Sequence, residues 1–492
     1  MTLPDALYTV AQVRDIDARA MASGTPAIVL MQRAGAAALA VLRDRWPAAR
    51  RIAVVCGPGN NGGDGYVLAR LARDCGLEVQ TLAASDPARL AGAAREAFEA
   101  FVGAGLVVAP FDARVLSRAE VVVDAFLGTG VKLPLRADAA SVIAAINGCG
   151  RPVLALDLPS GLDADRGEAS QAVHAAATVC FIALKAGLLV GDGPSCTGEL
   201  HFDDLDVSIA ADITPRARRL GSDVIRAALP PRPRAAHKAA FGRVLVIGGG
   251  VGMPGAVRLA AESALAVGAG LVTVASLPEH LLPIVGTRPE LMFQALADAS
   301  ALPAAMASAD VLAIGPGLGR DAWARGIFET ALARRRPGQF LVLDADALNL
   351  LAAHPEIRRD ADWVLTPHPG EAARLLGIDT ATVQADRLAA LDRLVAERGG
   401  VVALKGAGTL VGKAGEVTAL CGQGNPGMAV PGMGDVLTGA LAGILAQCRD
   451  PWLAAKAAVQ AHALAGDQVA AAGERGVLAG EVIQALRSAV NA

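Results

Sequence analysis

The sequence predicts an α/β protein of two consecutive domains, each a mostly parallel sheet with helices on both faces. Three observations predict it. Short runs rich in Val, Ile and Leu alternate with Ala-rich helical stretches along the chain, the pattern of β-α-β units. The alternation is interrupted at 211–236, ADITPRARRLGSDVIRAALPPRPRAA, where prolines and a cluster of arginines mark a linker. The length of 492 residues also exceeds one domain, at about 100–200 residues each.

The elements follow in order. A helical stretch at 10–46 precedes the first strand. Strands are expected at 51–56, 78–83, 121–125, 152–157 and 178–184. After the linker a second series runs 243–247, 271–275, 311–314, 340–344, 363–366 and 401–404, and closes with helices at 435–447 and 452–472. The domains are placed at 1–215 and 216–492.

Composition excludes several classes. The formal net charge of −3 carries no nucleic-acid signature. No apolar run reaches the roughly 18 residues of a membrane span. The start, MTLPDALYTVAQVRDID, lacks the basic-then-apolar pattern of a signal peptide. The seven cysteines include no C-x-x-C, and their odd number disfavours a disulfide framework. A reduced, cytoplasmic protein without nucleic-acid or membrane partners is expected.

The segment CGPGNNGGDG, Cys56–Gly65, matches the dinucleotide pattern G-x-G-x-x-G between a strand and a helix. The match is cheap, because Gly250-Val-Gly252-Met-Pro-Gly255 repeats it. A dehydrogenase also needs an acid at the end of the second strand. Glu78 begins that strand and Asp86 lies beyond it. Asn60, Asn61 and Asp64, set among the glycines, suggest recognition of more than a pyrophosphate. Two further acids close strands, in Asp124-Ala-Phe-Leu-Gly128-Thr129-Gly130 and Asp157-Leu-Pro159-Ser160-Gly161. A strand-end aspartate is often only a helix cap. Three such loops together at the ligand end of one sheet point to a site, and their Asn, Asp and Ser oxygens suit a hard cation.

The second half has its own set. Gly315-Pro-Gly317-Leu-Gly319 can offer backbone N–H groups to an anion. Asp344-Ala-Asp346 closes a strand, and Thr366-Pro-His368-Pro-Gly370-Glu371 holds His368 in a rigid turn. Lys405-Gly-Ala-Gly408-Thr409 combines a cation, bare amides and a hydroxyl. Gly432-Met433-Gly434-Asp435 opens a helix, so an anion hole lies beside an acid that can deprotonate a hydroxyl. No Walker A or H-E-x-x-H pattern is present.

These segments, with LYTVAQVRDID, VVVDAFLGTG, LALDLPSGLDAD, HKAAFGRVLVIGG, LDADALN, TPHPGE, KGAGT and GNPGMAVPGMGDVLTG, resemble in order the bifunctional NAD(P)H-hydrate repair enzymes. The resemblance covers nearly the whole chain. It implies a Rossmann-like three-layer αβα epimerase domain followed by a ribokinase-like αβα dehydratase domain that uses ADP or ATP with Mg²⁺. In the epimerase it implies that Asn60, Asn61, Gly62, Gly63, Asp64, Gly128, Thr129, Gly130, Val131, Lys132, Leu133 and Pro134 line the substrate site, with Arg136 close by. Asp157 would bind substrate and act as acid or base, and Asn61, Asp124 and Ser160 would hold potassium. In the dehydratase, Lys405, Gly406, Ala407, Gly408, Thr409 and Gly434 would hold the nucleotide. Ala256, Gly317, His368 and Asp435 would contact the hydrated substrate, with Asp435 as base. A homotetramer is also implied. Pro431 departs from the pattern, and its missing N–H would remove a donor from the anion hole. The alternative reading is a ribokinase-class small-molecule kinase fused to a nucleotide-binding domain.

Overall fold

The computed structural model describes residues 3–491 apart from 132, 355, 358 and 359. The chain forms two compact units, Met1–Arg218 and Arg219–Ala492.

The strands of the first unit are β1 (Ala6–Tyr8), β2 (Arg51–Cys56), β3 (Glu78–Ala83), β4 (Val108–Pro110), β5 (Val121–Ala125), β6 (Val153–Leu156), β7 (Ala177–Phe181), β8 (Leu184–Lys185), β9 (Glu199–Asp203) and β10 (Ala217–Arg219). Seven of the described strands form a sheet in the order β4-β3-β2-β5-β6-β7-β9, parallel throughout. The register sets Asp124 level with Val55 on one side and Ala155 on the other. β1 pairs parallel with β8 and antiparallel with β10.

Near-continuous apolar strands are expected in a sheet buried on both faces, and β2 and β5 are buried along almost their whole length. One face carries a core that joins Ile52, Val54, Tyr66, Phe101 and Leu154. The other joins Val55, Leu116, Val122 and Ile143. The stretch read as one helix at 10–46 is two, Val10–Ala22 and Ala27–Arg45. Gly24 takes a φ of 106° between them and Pro26 caps the second. Reciprocal bonds between Thr9 and Gln12 start the first. The strand expected at 178–184 is likewise divided, because Ile182 adopts a φ of 65° between β7 and β8.

The second unit contains β11 (Arg243–Ile247), β12 (Leu271–Ser276), β13 (Met292–Ala295), β14 (Val311–Ile314), β15 (Phe340–Leu343), β16 (Trp363–Leu365), β17 (Val401–Leu404), β18 (Thr409–Lys413) and β19 (Thr418–Cys421). Their order is β13-β12-β11-β14-β15-β16-β17-β18-β19. The first seven in that row are parallel, and β18 and β19 extend it antiparallel. Helices Pro254–Ala266, Met433–Cys448 and Pro451–Ala470 share the large core on one face. Among the described residues no single helix is long and apolar enough to cross a membrane.

Candidate active sites

In the first unit the loops after β2, β5 and β6 leave neighbouring strands at the same edge, where open α/β sheets place their ligands. The helix after β2 starts earlier than the sequence suggested. Asn60–Asp74 is helical with Gly59 as its cap, so Asn60 through Asp64 form a first turn and not a loop. The glycines allow close packing. A β-carbon on Gly57 would lie 1.7 Å from the Phe126 carbonyl oxygen, and one on Gly62 2.1 Å from that of Gly57. Backbone atoms cannot yield cheaply there. Gly57→Ala is therefore expected to destabilise the first unit by about 1–3 kcal/mol, read as a lower urea midpoint.

A cavity of about 500 Å³ opens at this edge, within the usual size of small-molecule sites. Asn60, Asn61, Asp64, Gly128, Thr129, Gly130, Val131 and Asp157 line it. Gly62 and Gly63 pack behind it, against Gly57 and Met31. Leu133, Pro134 and Arg136 are not among its lining residues. Arg136 is exposed and paired with Asp138. Lys132 lies outside the described residues.

Asp157 sits just past β6 with a φ of 62°. Its Oδ1 pairs with Lys185 Nζ and accepts the Phe181 N–H at 3.3 Å. Lys185 is 1% exposed and also donates to the Phe181 carbonyl at 3.0 Å. Burial opposes its charge, but Asp157 and Cys180 outweigh that and hold its pKa above the usual value. Asp17 and Asp64 line the same cavity. Burial pushes Asp17 up to about 6, with Lys185 opposing and Asp157 adding. Burial pushes Asp64 well above the usual range in the same company.

Behind the cavity lies an oxygen-rich nest. Asp124 is fully buried. Its Oδ1 accepts from Ser160 Oγ at 2.6 Å and Phe126 N–H at 3.2 Å, and its Oδ2 from Ser160 N–H at 2.8 Å. Asn61 Nδ2 donates to the Leu127 carbonyl at 3.1 Å. Asn61 Oδ1 is buried without a partner among the described residues. Burial pushes Asp124 up to about 6, and only hydrogen bonds to neutral groups act against it. A buried carboxylate lacking a protein cation, beside an orphaned amide oxygen, fits an oxygen-coordinated cation.

In the second unit β11, β14, β15, β16 and β17 are adjacent, so the segments that follow them gather at one edge. Gly317, at a φ of 56°, brings its loop against Ala256; a β-carbon there would be 3.0 Å from that of Ala256. Asp344 is 1% exposed. It accepts from Lys405 Nζ at 2.6 Å, Thr366 Oγ1 at 2.8 Å and Thr438 Oγ1 at 2.8 Å. Lys405 Nζ also lies 3.8 Å from Glu371. Thr438 belongs to helix Met433–Cys448, so this cluster ties the helix start to β15–β17.

Gly432 caps that helix at a φ of 91°. The N–H groups of Met433, Gly434 and Asp435 precede its first internal bond, from Val436 to Gly432. Pro431 lies before the cap, so it removes no donor from the first turn, contrary to the sequence-based expectation. A β-carbon on Gly434 would stand 3.4 Å from Lys405 Nζ and 3.7 Å from Asp344 Oδ2. Asp435 is pushed up to about 7 by burial and Asp344, with Lys405 opposing. Glu371 is pushed up to about 7 by burial, Lys405 again opposing and Asp344 adding.

His368 caps helix Pro369–Leu376, its Nδ1 accepting the Gly370 N–H at 3.0 Å. Burial, Lys405 and Arg374 lower its pKa, so the ring is neutral near pH 7, with half of the side chain exposed. The Lys405–Gly408 loop is braced by Arg387, which is 2% exposed and donates to the carbonyls of Leu404, Lys405 and Gly408. Thr409 is the first residue of β18, and its hydroxyl donates to the Gly406 carbonyl.

Sequence reasoning gave no role to Lys185, Asp17 or Arg387. Lys185 had a signal: one lysine inside CFIALKAGLLV must find a partner if that run is buried. Asp17 and Arg387 lie on helices and carry no local sign of their destination.

Two largely parallel sheets, each with carboxyls gathered at its ligand edge and one with free N–H groups at a glycine-capped helix start, define a two-centre α/β enzyme for nucleotide-like small molecules. Residues 27–187 match the family described as YjeF-related protein N-terminus, and 244–488 match NAD(P)H-hydrate dehydratase. A bifunctional NAD(P)H-hydrate repair enzyme of Coxiella burnetii is 47% identical over 99% of both chains. Its Escherichia coli namesake is 43% identical over 94% of this chain and 89% of its own. A solved ribokinase-like superfamily protein of Enterococcus faecalis superposes with a TM-score of 0.53 at 33% identity, covering 56% of this chain and 96% of that one. The chain belongs to the bifunctional NAD(P)H-hydrate repair enzymes.

Proposed function

We propose that the chain restores hydrated NADH and NADPH in two steps. The first unit interconverts the R and S epimers at C6. The second dehydrates the S epimer with ADP or ATP, giving AMP or ADP and phosphate. Asp435 carries the reading: an acid pushed up to about 7 stands at a glycine-marked helix start beside Lys405.

Hydroxide is a poor leaving group. Once the C6 hydroxyl is phosphorylated, the ring-nitrogen lone pair can expel phosphate. In this reading Asp435 takes the hydroxyl proton. Lys405, the loop through Thr409, and the N–H groups at Gly434 hold the phosphates. Ala256, Gly317 and His368 seat the substrate. Magnesium bound with the nucleotide would screen its phosphate charge. In the first unit Asn60, Asn61, Asp64 and Gly128–Val131 hold the substrate, and Asp157 moves a proton as C6 exchanges its oxygen. A potassium ion held by Asn61, Asp124 and Ser160 would neutralise Asp124 and steady the loop at Leu127. The division at 215/216 into epimerase and dehydratase, a homotetramer and a cytoplasmic location belong to the same proposal and are supported by the resemblance.

With mixed R and S hydrates, ADP and Mg²⁺, the near-ultraviolet absorbance of reduced nicotinamide should recover in full. Recovery that stops at the S fraction overturns the epimerase assignment; no nucleotide-dependent recovery overturns the dehydratase. Exchanging potassium for a bulky organic cation should slow epimerisation several-fold and be reversed by added potassium. Asp124→Asn should remove that response.

A further inference from the structure

The first-unit cavity holds more acid than one proton-moving carboxylate requires. Its charged lining residues among those described are Arg14 and Asp17 from helix Val10–Ala22, Asp64 from helix Asn60–Asp74, Asp157 after β6, and Lys185 in β8. Lys185 is committed to Asp157. Asp17 Oδ1 is buried with no hydrogen-bond partner among the described residues. An ionised carboxylate cannot stay unpaired in such a place without large cost, whereas a protonated one can.

We propose that Asp17 is a second catalytic residue of this cavity, a general acid that protonates the departing C6 hydroxyl while Asp157 serves as the base. The inference rests on the epimerase reading. Paired carboxyls whose surroundings set opposite protonation states mark acid and base. Asp157 is ion-paired with Lys185. Asp17, pushed up to about 6, both keeps and releases a proton near neutrality. Burial raises Asp64 too, but the buried carboxyl oxygen of this cavity left without a partner among the described residues belongs to Asp17.

The step balances without redox change. Asp17 gives its proton to the hydroxyl, the C6–O bond breaks, and water leaves as the ring-nitrogen lone pair forms the C6=N iminium. A water molecule then adds to the other face of C6, forming a new C–O bond, and gives its proton to Asp157. Exchange with solvent returns a proton to Asp17 and removes one from Asp157.

Without ADP the dehydration is silent, so R–S interconversion in the full chain can be followed by chromatography, with the uncatalysed rate subtracted. Asp17→Asn should lower kcat by about 10²–10⁴-fold with KM nearly unchanged. A general acid must be protonated, so the wild-type rate should fall as pH rises past about 6. Asp17→Asn should lose that fall, and Asp17→Glu should recover part of the rate with a displaced fall. An unchanged kcat in Asp17→Asn, or a lower kcat with the same pH profile, overturns the proposal. Should Asp17→Asn fail to fold, a wild-type profile with no decline above that pH overturns it alone. A wild-type chain that does not interconvert the epimers defeats the epimerase reading itself, whatever Asp17 does.

Discussion

Asp435→Asn should abolish dehydration of the S hydrate and leave R–S interconversion at the wild-type rate. The substitution keeps shape and removes the ability to take a proton. Loss of a positioned base costs typically 10²–10⁴-fold, and here the hydroxyl must be deprotonated as it attacks phosphorus. Burial and Asp344 push Asp435 up to about 7 while Lys405 opposes them. A base works only when deprotonated, so the wild-type dehydration rate should fall as pH drops below about 7. The mutant's residual rate should lack that limb. ADP binding, measured by calorimetry, should survive, because Lys405 and the amides at Gly434 are untouched. A variant that loses both activities would show that the two reactions share a centre.

Asp157→Asn should do the reverse, stopping epimerisation while S-hydrate dehydration continues, and it should carry a stability cost as well. Lys185 is 1% exposed and its ion-pair partner is Asp157. Removing one member of a buried pair strands the other charge, at a cost of about 3–5 kcal/mol. The urea midpoint of the first unit should drop accordingly. Adding Lys185→Met to Asp157→Asn removes the stranded charge and should restore most of the stability without restoring activity. That separation distinguishes loss of chemistry from loss of fold. If the double variant regains epimerisation, Asp157 does not move the proton.

Much of both sites was legible because their residues lie in short segments that follow strands. Asp124, Asp157 and Asp344 close or follow apolar runs, the glycines of Gly57–Gly65 mark a tight strand–helix turn, and those of Gly432–Gly434 mark a helix start. The strand boundaries at 51–56, 121–125, 243–247, 311–314 and 401–404 agree with β2, β5, β11, β14 and β17, since continuous apolar runs are what doubly covered strands require. The short or mixed strands β1, β4, β9, β13, β18 and β19 gave no such run. Helix Asn60–Asp74 takes in residues that the sequence pattern places in the glycine-rich loop, because two glycines in its first turn mask helical propensity that tertiary packing overrides.

The sequence by itself determined the α/β class, the order of the motifs and the acids offered at each strand end, all properties of local pattern and chain order. Only the tertiary structure decided which charges meet. It set Lys185 on Asp157, placed Asp17 and Asp64 in their cavity, and tied Lys405, Asp344 and Thr438 together beside Asp435. Those pairs are separated by tens of residues or more along the chain. Their protonation states depend on burial and on neighbours brought from other strands, and no local window of sequence contains that information.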